Sequence, residues 1–209
     1  KYTRARKMSA VNNALGVIDE NPMVARNDSA FQLVNKQKVA KGFDNAALNY
    51  DSLASVQGEI SNYGLMRIEN LDLNKVGSLL DIGCGTASSF TRLQALAERV
   101  IGVDISLNML NQASKSNKAH ESCQFNPING DAENLPFQSN SIDTVYSSMA
   151  FQWCESPLKA LSEVHRVLKP SGNALLCIMT GESFNDLQRG WQHIGLPSRI
   201  NEFHSIDFL

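Results

Sequence analysis

The stretch that decides the fold is Leu79-Leu80-Asp81-Ile82-Gly83-Cys84-Gly85-Thr86-Ala87. Its apolar start predicts a buried strand, its glycines predict a tight turn, and the residues after them favour the start of a helix. A second apolar run, Val100-Ile101-Gly102-Val103, ends at Asp104. In such a unit the glycines let the backbone approach a ligand, and an acid at the next strand tip accepts hydrogen bonds from ribose hydroxyls. The stretch therefore predicts a site for a cofactor that contains a nucleoside.

The spacing of the glycines separates two classes of cofactor. A dinucleotide fingerprint has a third glycine three residues after the second, where this chain has Ser88. Pyrophosphate also needs the bare N-terminus of the helix, whereas S-adenosylmethionine has no phosphate. Its methionine part needs only a turn, nearby amides and an acid such as Asp81. We therefore favour S-adenosylmethionine, with an NAD-dependent enzyme as an alternative.

The composition is that of an ordinary globular protein of 209 residues, long enough for one domain with a sizeable core. A net charge of −2 gives no bulk attraction to nucleic acid or to an anionic membrane, so we expect neither as a partner. The four cysteines form no CxxC pair, which disfavours a metal site and suits a reducing compartment. No apolar run is long enough for a membrane span, and the N-terminus lacks the apolar core of a secretory signal. We expect a cytoplasmic protein.

The chain divides into three regions. Residues 1–33 are polar and are expected to form a weakly ordered extension, and residues 34–73 have the pattern of an N-terminal helical cap. Asp44 and Asn45 favour a turn within this cap. In the second helix of the cap, which follows them, the apolar face is predicted to consist of Leu53, Val56, Ile60 and Tyr63. Residues 74–209 alternate between strands and helices, which predicts a Rossmann-like, doubly wound, mostly parallel α/β sheet. The strands are predicted at 78–82, 100–104, 123–128, 142–147 and 173–179, and the helices near 86–97, 106–117, 155–168 and 183–193.

The residues at the strand tips can recognise adenine. An adenine ring needs apolar contacts on its faces, an acceptor for its amino group and a donor for a ring nitrogen. Ile105 and Met109 can supply the apolar contacts, the Asp131 carboxylate the acceptor and the Ala132 amide the donor. Two structural alternatives stay open, since a methionine at such a helical position is often core and an aspartate often caps a turn.

Five segments together resemble the class I S-adenosylmethionine-dependent methyltransferases: 81–86, 104–110, 130–137, 141–145 and 161–172. The chain departs from the family at Ala87, where many members have a third glycine. The resemblance implies S-adenosylmethionine as cofactor and S-adenosylhomocysteine as product. The residues it implies for cofactor binding are Tyr50, Asp81, Gly83, Cys84, Gly85, Asp104, Ile105, Met109, Asp131, Ala132, Glu133 and Ser148.

Segments 34–51, 149–154 and 181–203 resemble one subfamily, the malonyl-acyl-carrier-protein O-methyltransferases of biotin synthesis. The resemblance implies methyl transfer to the free carboxylate of malonyl-acyl carrier protein. A carboxylate is ionised at pH 7, so no general base is expected. Tyr50 is the catalytic candidate, with its hydroxyl toward the methionine carboxylate. Such enzymes continue with two further strands, so the final strands of the sheet are expected to be absent.

The same resemblance implies an acceptor pocket and a surface for the acidic carrier protein. The residues predicted to line the pocket are Phe151, Gln152 and Trp153, with His193 or Arg199 as the cation that orients the carboxylate. The candidates for a basic patch are Lys115, Lys118, Arg166 and Lys169. Two other functions remain open: a methyltransferase acting on a small molecule such as a quinone precursor, and a methyltransferase-like binding subunit without activity.

Overall fold

The computed structural model describes residues 34–70, 76–116, 125–198 and 203–208, and their centre is a five-stranded sheet. All of its strand pairs are parallel, and the order is β3-β2-β1-β4-β5. The strands are β1 (Val76–Ile82), β2 (Ala97–Asp104), β3 (Asn126–Asn129), β4 (Ile142–Ser148) and β5 (Leu168–Cys177). This confirms the predicted Rossmann-like parallel sheet. The prediction for residues 1–33 lies outside the described residues.

The helices connect the strands and cover both faces of the sheet. They are α1 (Lys36–Ala46), α2 (Tyr50–Leu53), α3 (Ser55–Glu69), α4 (Phe90–Leu96), α5 (Leu107–Ser116), α6 (Pro157–Val167) and α7 (Asn185–His193). Short 3₁₀ turns occur at Phe151–Trp153, Gly181–Phe184 and Ile206–Phe208. The strand order reverses beside β1, which has β2 on one side and β4 on the other. In open α/β sheets the crevice at such a reversal is where ligands bind.

Successive residues of β1 point to opposite faces of the sheet and take part in separate cores. Leu80 belongs to a buried cluster with Ala160, Val164 and Val167 of α6. Leu79 belongs to another cluster, which the helices α3, α4 and α5 cover. Because both faces of the sheet are buried, the strand reads as a nearly continuous apolar run.

Of the four residues predicted to form the apolar face of the second helix of the cap, Val56 and Ile60 are half-buried and the other two are exposed. Leu53 and Tyr63 are 42% and 58% exposed, whereas the buried residues of α3 are Gln57, Gly64, Leu65 and Ile68. A Cβ atom at Gly64 would lie 2.7 Å from the Sγ atom of Cys177. The lack of a side chain at Gly64 therefore lets α3 pack closely against β5, and this contact decides which face of the helix is buried.

The two outer strands differ from their predicted bounds. Pro127 lies within β3, at an edge of the described sheet, where its missing N–H leaves no ladder bond unmade. The strand β5 begins before its predicted start at residue 173, because Leu168 already pairs with Ile142. The register then shifts so that Thr144 pairs with Asn173, and the intervening residues bulge out of the ladder.

Within the described ranges, no helix is long and apolar enough to cross a membrane.

Candidate active site

An open cavity lies at the carboxyl ends of the central strands, next to α1. Most of the predicted cofactor residues line it: Tyr50, Gly83, Gly85, Asp104, Ile105, Met109, Asp131, Ala132, Glu133 and Ser148. Asp81 and Cys84 are buried and are not among the lining residues. The topology therefore brings the tips of four strands and Tyr50 of the helical cap to one cavity.

The turn after β1 requires its glycines. Gly83 has φ +72°, and a Cβ atom there would overlap the Cβ atom of Ala150. Gly85 has φ +54°, and its amide donates a 2.8 Å hydrogen bond to Oδ2 of Asp104. Ala87 also has a positive φ, +58°, at the position where the resemblance has a third glycine. The turn is thus tied to the tip of β2 and leaves open space at Gly85.

Two buried carboxyl groups give this site an acidic character. Burial and the nearby charge of Asp104 raise the pKa of Asp81 to about 8. Burial also raises the pKa of Asp104, although hydrogen bonds from the amides of Ser106 and Gly85 act in the opposite direction. A ligand with positive charge would stabilise both carboxylates, so the sulfonium and ammonium groups of S-adenosylmethionine fit this site.

Tyr50 lies on the other side of the cavity, on α2. Burial, with added repulsion from Asp104 and Asp51, raises the pKa of Tyr50 to about 12. Its phenol therefore stays protonated near neutral pH and serves as a hydrogen-bond donor. The neighbouring Asp51 accepts a 2.6 Å hydrogen bond from the Thr86 hydroxyl, which connects the cap to the turn after β1.

The helix α1 contributes residues that sequence reasoning missed. Val39 and Phe43 line the cavity. Asp44, predicted to lie in a turn, is within α1 and accepts hydrogen bonds from the Ser106 hydroxyl and the Asn108 amide. The helical spacing of Val39 and Phe43 was the available signal, but it does not specify what that helix face covers.

Lys36, in the first turn of α1, is a further lining residue that was missed. Its Nζ atom lies 2.7 Å from Oδ2 of Asp131 and 3.1 Å from Oε2 of Glu133. Burial lowers the pKa of Lys36, but the hydrogen bonds and charges of the two carboxylates outweigh this effect and raise it. Lys36 is therefore a fully charged partner of the loop predicted to bind adenine.

Comparisons with known proteins agree with this geometry. A profile of the methyltransferase domain matches residues 80–176. The malonyl-[acyl-carrier protein] O-methyltransferase of Erwinia billingiae is 33% identical over 180 residues, which are 84% of this chain and 67% of the relative. The chain belongs to the S-adenosylmethionine-dependent methyltransferases. This membership confirms S-adenosylmethionine, rather than NAD, as the cofactor predicted from the glycine turn.

Two further comparisons place the methyltransferase among relatives of known sequence and structure. The Erwinia pyrifoliae protein of the same name is 37% identical over 175 residues, with 84% of this chain and 64% of the relative covered. A solved S-adenosylmethionine-dependent methyltransferase from Thermotoga maritima has a TM-score of 0.56 at 25% identity, covering 79% of this chain and 74% of that one. The chain spans about two thirds of the length of the two Erwinia relatives.

Only part of the predicted acceptor pocket of the methyltransferase is at the cavity. Trp153 lines it, but Phe151 is 1% exposed and packs into the core beside β1 and α6, so its prediction as a lining residue needs correction. Gln152 is also buried, and its amide donates to the carbonyl of Met149. The 3₁₀ turn at this point directs these three consecutive side chains in different directions. His193 is exposed at the end of α7 and does not line the cavity, and Arg199 lies outside the described residues.

Aromatic rings extend from Trp153 in a row that no sequence pattern indicated. The ring of Phe43 lies 6.2 Å from Tyr50 and 6.0 Å from Trp153, and Phe203 lies 6.1 Å from Trp153 and 5.7 Å from Phe184. We call these five residues the aromatic row. It joins the cap, the loop after β4 and the segment after β5 at the mouth of the cavity.

The predicted basic patch does not form as a group of free cations. Arg166 donates to the carbonyl oxygens of Leu135 and Phe137 and pairs with Glu163, and Lys169 pairs with Asp143. These two side chains hold loops and strands in place. Lys115 is exposed on α5, and Lys118 lies outside the described residues.

Proposed function

We propose that this methyltransferase transfers the methyl group of S-adenosylmethionine to the free carboxylate of malonyl-acyl carrier protein, an early step of biotin synthesis. The names of the two Erwinia relatives support this acceptor. The bound cofactor supplies an electrophilic methyl group on its sulfonium. The remaining task of the protein is to bind the acceptor, exclude water and align one carboxylate oxygen with that methyl group.

The acid–base character of the cavity is the observation that carries the proposal. Burial raises the pKa of both Tyr50 and Cys154 to about 12, so neither group accepts a proton near neutral pH. No histidine is among the described residues that line the cavity. A phenol or carbon acceptor needs a base to become nucleophilic, whereas a carboxylate is already ionised. The carboxylates that also line the cavity, Asp104, Asp131 and Glu133, are engaged in hydrogen bonds or ion pairs with the protein. The described lining therefore favours an acceptor that is already ionised.

Tyr50 is proposed as the residue that closes the site over the methionine part of the cofactor. Its hydroxyl remains a donor because its pKa is about 12. Within the part of the chain that the structure describes, this hydroxyl makes no hydrogen bond to Asp104 or Asp51, the two acids whose charges act on it. The phenol proton is thus available for a ligand carboxylate.

The aromatic row is proposed to receive the acyl thioester. Its rings lie edge to face from Tyr50 through Phe43 and Trp153 to Phe203, so they offer an apolar path beside the cavity. Removing water from a carboxylate along such a path makes its oxygen a better nucleophile. The free carboxylate would lie at the Tyr50 end, and the thioester would extend toward Phe184.

Methyl transfer from labelled S-adenosylmethionine tests the proposal. Four acceptors are compared: malonyl carrier, acetyl carrier (the same thioester without a free carboxylate), unacylated carrier and a phenolic quinone precursor. We expect label only on the malonyl carrier, in a form that mild alkali releases as methanol, because a methyl ester hydrolyses and an ether or C-methyl group does not. Alkali-stable label on the phenol, or no label on the malonyl carrier despite measured cofactor binding, would contradict the proposed acceptor.

A further inference from the structure

Lys36 is the only basic side chain among the described residues that line the cavity. It lies beside Asp131 and Glu133, in the segment predicted to bind adenine. The adenine site predicted from the sequence uses only the Asp131 carboxylate and the Ala132 amide of this segment. The position of an ammonium group there needs its own explanation.

Hydrogen bonds connect Lys36 to two loops in a closed ring. The ammonium binds Oε2 of Glu133, and Oε1 of Glu133 accepts from the amide of Glu155 at 2.7 Å. The carboxylate of Glu155 in turn accepts from the amide of Lys36 at 3.1 Å. The start of α1 is therefore held by both its backbone and its side chain.

The burial of these groups makes the ring more than a surface ion pair. Exposed pairs contribute little because water screens them, but the side chain of Glu133 is only 4% exposed and that of Lys36 is 21% exposed. Removing the cation would leave a buried carboxylate without its counter-charge, beside the second carboxylate of Asp131. Repulsion would then displace Asp131, since its side chain is the more exposed of the two acids.

Asp131 keeps capacity for a ligand while it is held in this way. Its Oδ1 accepts from the amide of Glu133 at 2.9 Å, and its Oδ2 accepts from Lys36 at 2.7 Å. Each oxygen of a carboxylate has two acceptor sites, so each can accept one further hydrogen bond. The arrangement fixes the direction of the carboxylate and leaves an acceptor site for an amino group.

We propose that Lys36 is a positioning residue for cofactor recognition: it holds α1 against the adenine end of the cavity and fixes the Asp131 carboxylate for the amino group of adenine. This inference rests on the cofactor site of the proposed function, and not on the identity of the acceptor. According to this inference, a residue of the helical cap helps the protein to distinguish adenine from a base that lacks the amino group.

Three variants test the inference: Lys36→Met, which keeps most of the aliphatic stem, Lys36→Arg, which keeps the charge, and Lys38→Met as the control on the exposed side of the same helix. Binding of S-adenosylhomocysteine and of its inosine analogue is measured by calorimetry, which needs no acceptor. We expect Lys36→Met to lower the affinity for S-adenosylhomocysteine about tenfold, because the lost contact is charge-assisted and half-buried. The same substitution should reduce the preference of the protein for S-adenosylhomocysteine over the inosine analogue. Lys36→Arg is expected to keep most of the affinity and most of the preference. Lys38→Met is expected to change neither the affinity nor the preference.

A second measurement separates positioning from a general loss of structure. Hydrogen exchange of the α1 amides is expected to be faster in Lys36→Met, while the thermal unfolding of the sheet core stays within a few degrees of the parent. Unchanged affinity for S-adenosylhomocysteine in Lys36→Met would overturn the inference, and so would an equal loss for both ligands. A parent protein that binds S-adenosylhomocysteine but does not methylate malonyl carrier would overturn the proposed function and leave this inference standing.

Discussion

The carboxylate of Asp44 accepts a 2.6 Å hydrogen bond from the hydroxyl of Ser106, although the two residues lie on opposite sides of β1 in the sequence. The same oxygen of Asp44 accepts from the amide of Asn108 at 3.0 Å. Ser106 is fully buried, and its own amide donates to Asp104, which lines the cavity. The helical cap is therefore connected to the tip of β2 by a chain of charge-assisted hydrogen bonds.

Replacement of Asp44 tests whether this contact holds the cap in place. Asp44→Ala leaves the buried hydroxyl of Ser106 without its acceptor, and we expect the free energy of unfolding to fall by about 1–3 kcal/mol in urea titrations. S-Adenosylhomocysteine should also bind more weakly, because α1 forms one wall of the cavity. Asn45→Ala, a change at the exposed neighbour, is the control and should change both quantities little. Equal effects of the two substitutions would show that the contact between Asp44 and Ser106 does not hold the cap in place.

The raised pKa of Asp81 predicts a pH dependence of stability with a defined sign. Its pKa is about 8 in the folded protein and about 4 in an unfolded chain, so between these values the folded state keeps a proton that the unfolded state releases. Its contribution to the free energy of unfolding is complete below about pH 4 and is lost as the pH rises to about 8. In the ligand-free protein, Asp81→Asn should flatten this decline and be more stable than the parent at pH 8 by about 1 kcal/mol or more.

Asp143 offers a control with the opposite sign. The hydrogen bond from Lys169, assisted by Ser78, lowers the pKa of Asp143. Its stabilising contribution is therefore present above about pH 4 and lost as the pH falls through the lowered value. Unfolding measured from pH 3 to pH 8 should show opposite changes of slope for Asp81→Asn and Asp143→Asn. Parallel curves for Asp81→Asn and the parent would contradict the assignment of Asp81.

The left-handed backbone of Ala87 predicts an unusually mild effect of glycine. An alanine at φ +58° is strained by about 1–2 kcal/mol, and relief of this strain offsets the buried methyl group and the added freedom of the unfolded chain. We expect Ala87→Gly to change the free energy of unfolding by less than about 0.5 kcal/mol. Ala160→Gly, at a fully buried position of α6, should cost about 1.5 kcal/mol. Chemical denaturation of both variants measures these changes. Equal losses of the free energy of unfolding would contradict the strain at Ala87.

The aromatic row predicts an acceptor effect that leaves the cofactor site intact. Phe203 lies edge to face with Trp153 and stacks on Phe184, but it does not line the cavity. Phe203→Leu should raise the KM for malonyl carrier about three- to tenfold, since it removes two ring contacts and apolar area, while the affinity for S-adenosylhomocysteine stays unchanged. Phe208→Leu is the matched control, because Phe208 stacks on His204 outside the row. Steady-state kinetics with an unchanged KM would remove the row from the acceptor path.

Tyr50 is expected to act as a hydrogen-bond donor and not as a base. Tyr50→Phe should lower the affinity for S-adenosylhomocysteine about five- to tenfold, because one hydrogen bond to a charged group is lost. Because the pKa of Tyr50 is about 12, the rate should show no dependence on its ionisation between pH 6 and pH 9. Tyr63→Phe, at an exposed position of α3, should have no effect. A loss of rate at low pH that disappears in Tyr50→Phe would instead identify the phenol as a base.

The family and the cofactor site could be predicted because their signals are local. A strand, a glycine turn and an acid at the next strand tip occur in short continuous segments, so Asp81, Gly83, Gly85 and Asp104 are identifiable without a structure. Which side chains after β4 reach the cavity could not be predicted in this way. Phe151 and Trp153 are separated by one residue, and only the path of the 3₁₀ turn places one in the core and the other at the cavity.

Local patterns in the chain were enough to predict the parallel sheet, its alternating helices and the acids at its strand tips, because periodicity and turn chemistry depend on neighbouring residues. Three contacts are visible only in the folded chain: Lys36 with Asp131 and Glu133, Asp44 with Ser106, and the buried face of α3 that contains Gly64. Each of these contacts joins residues far apart in the chain. Their partners are chosen by how closely the elements can approach and by which buried charges and polar groups remain to be satisfied, and no local pattern contains that information.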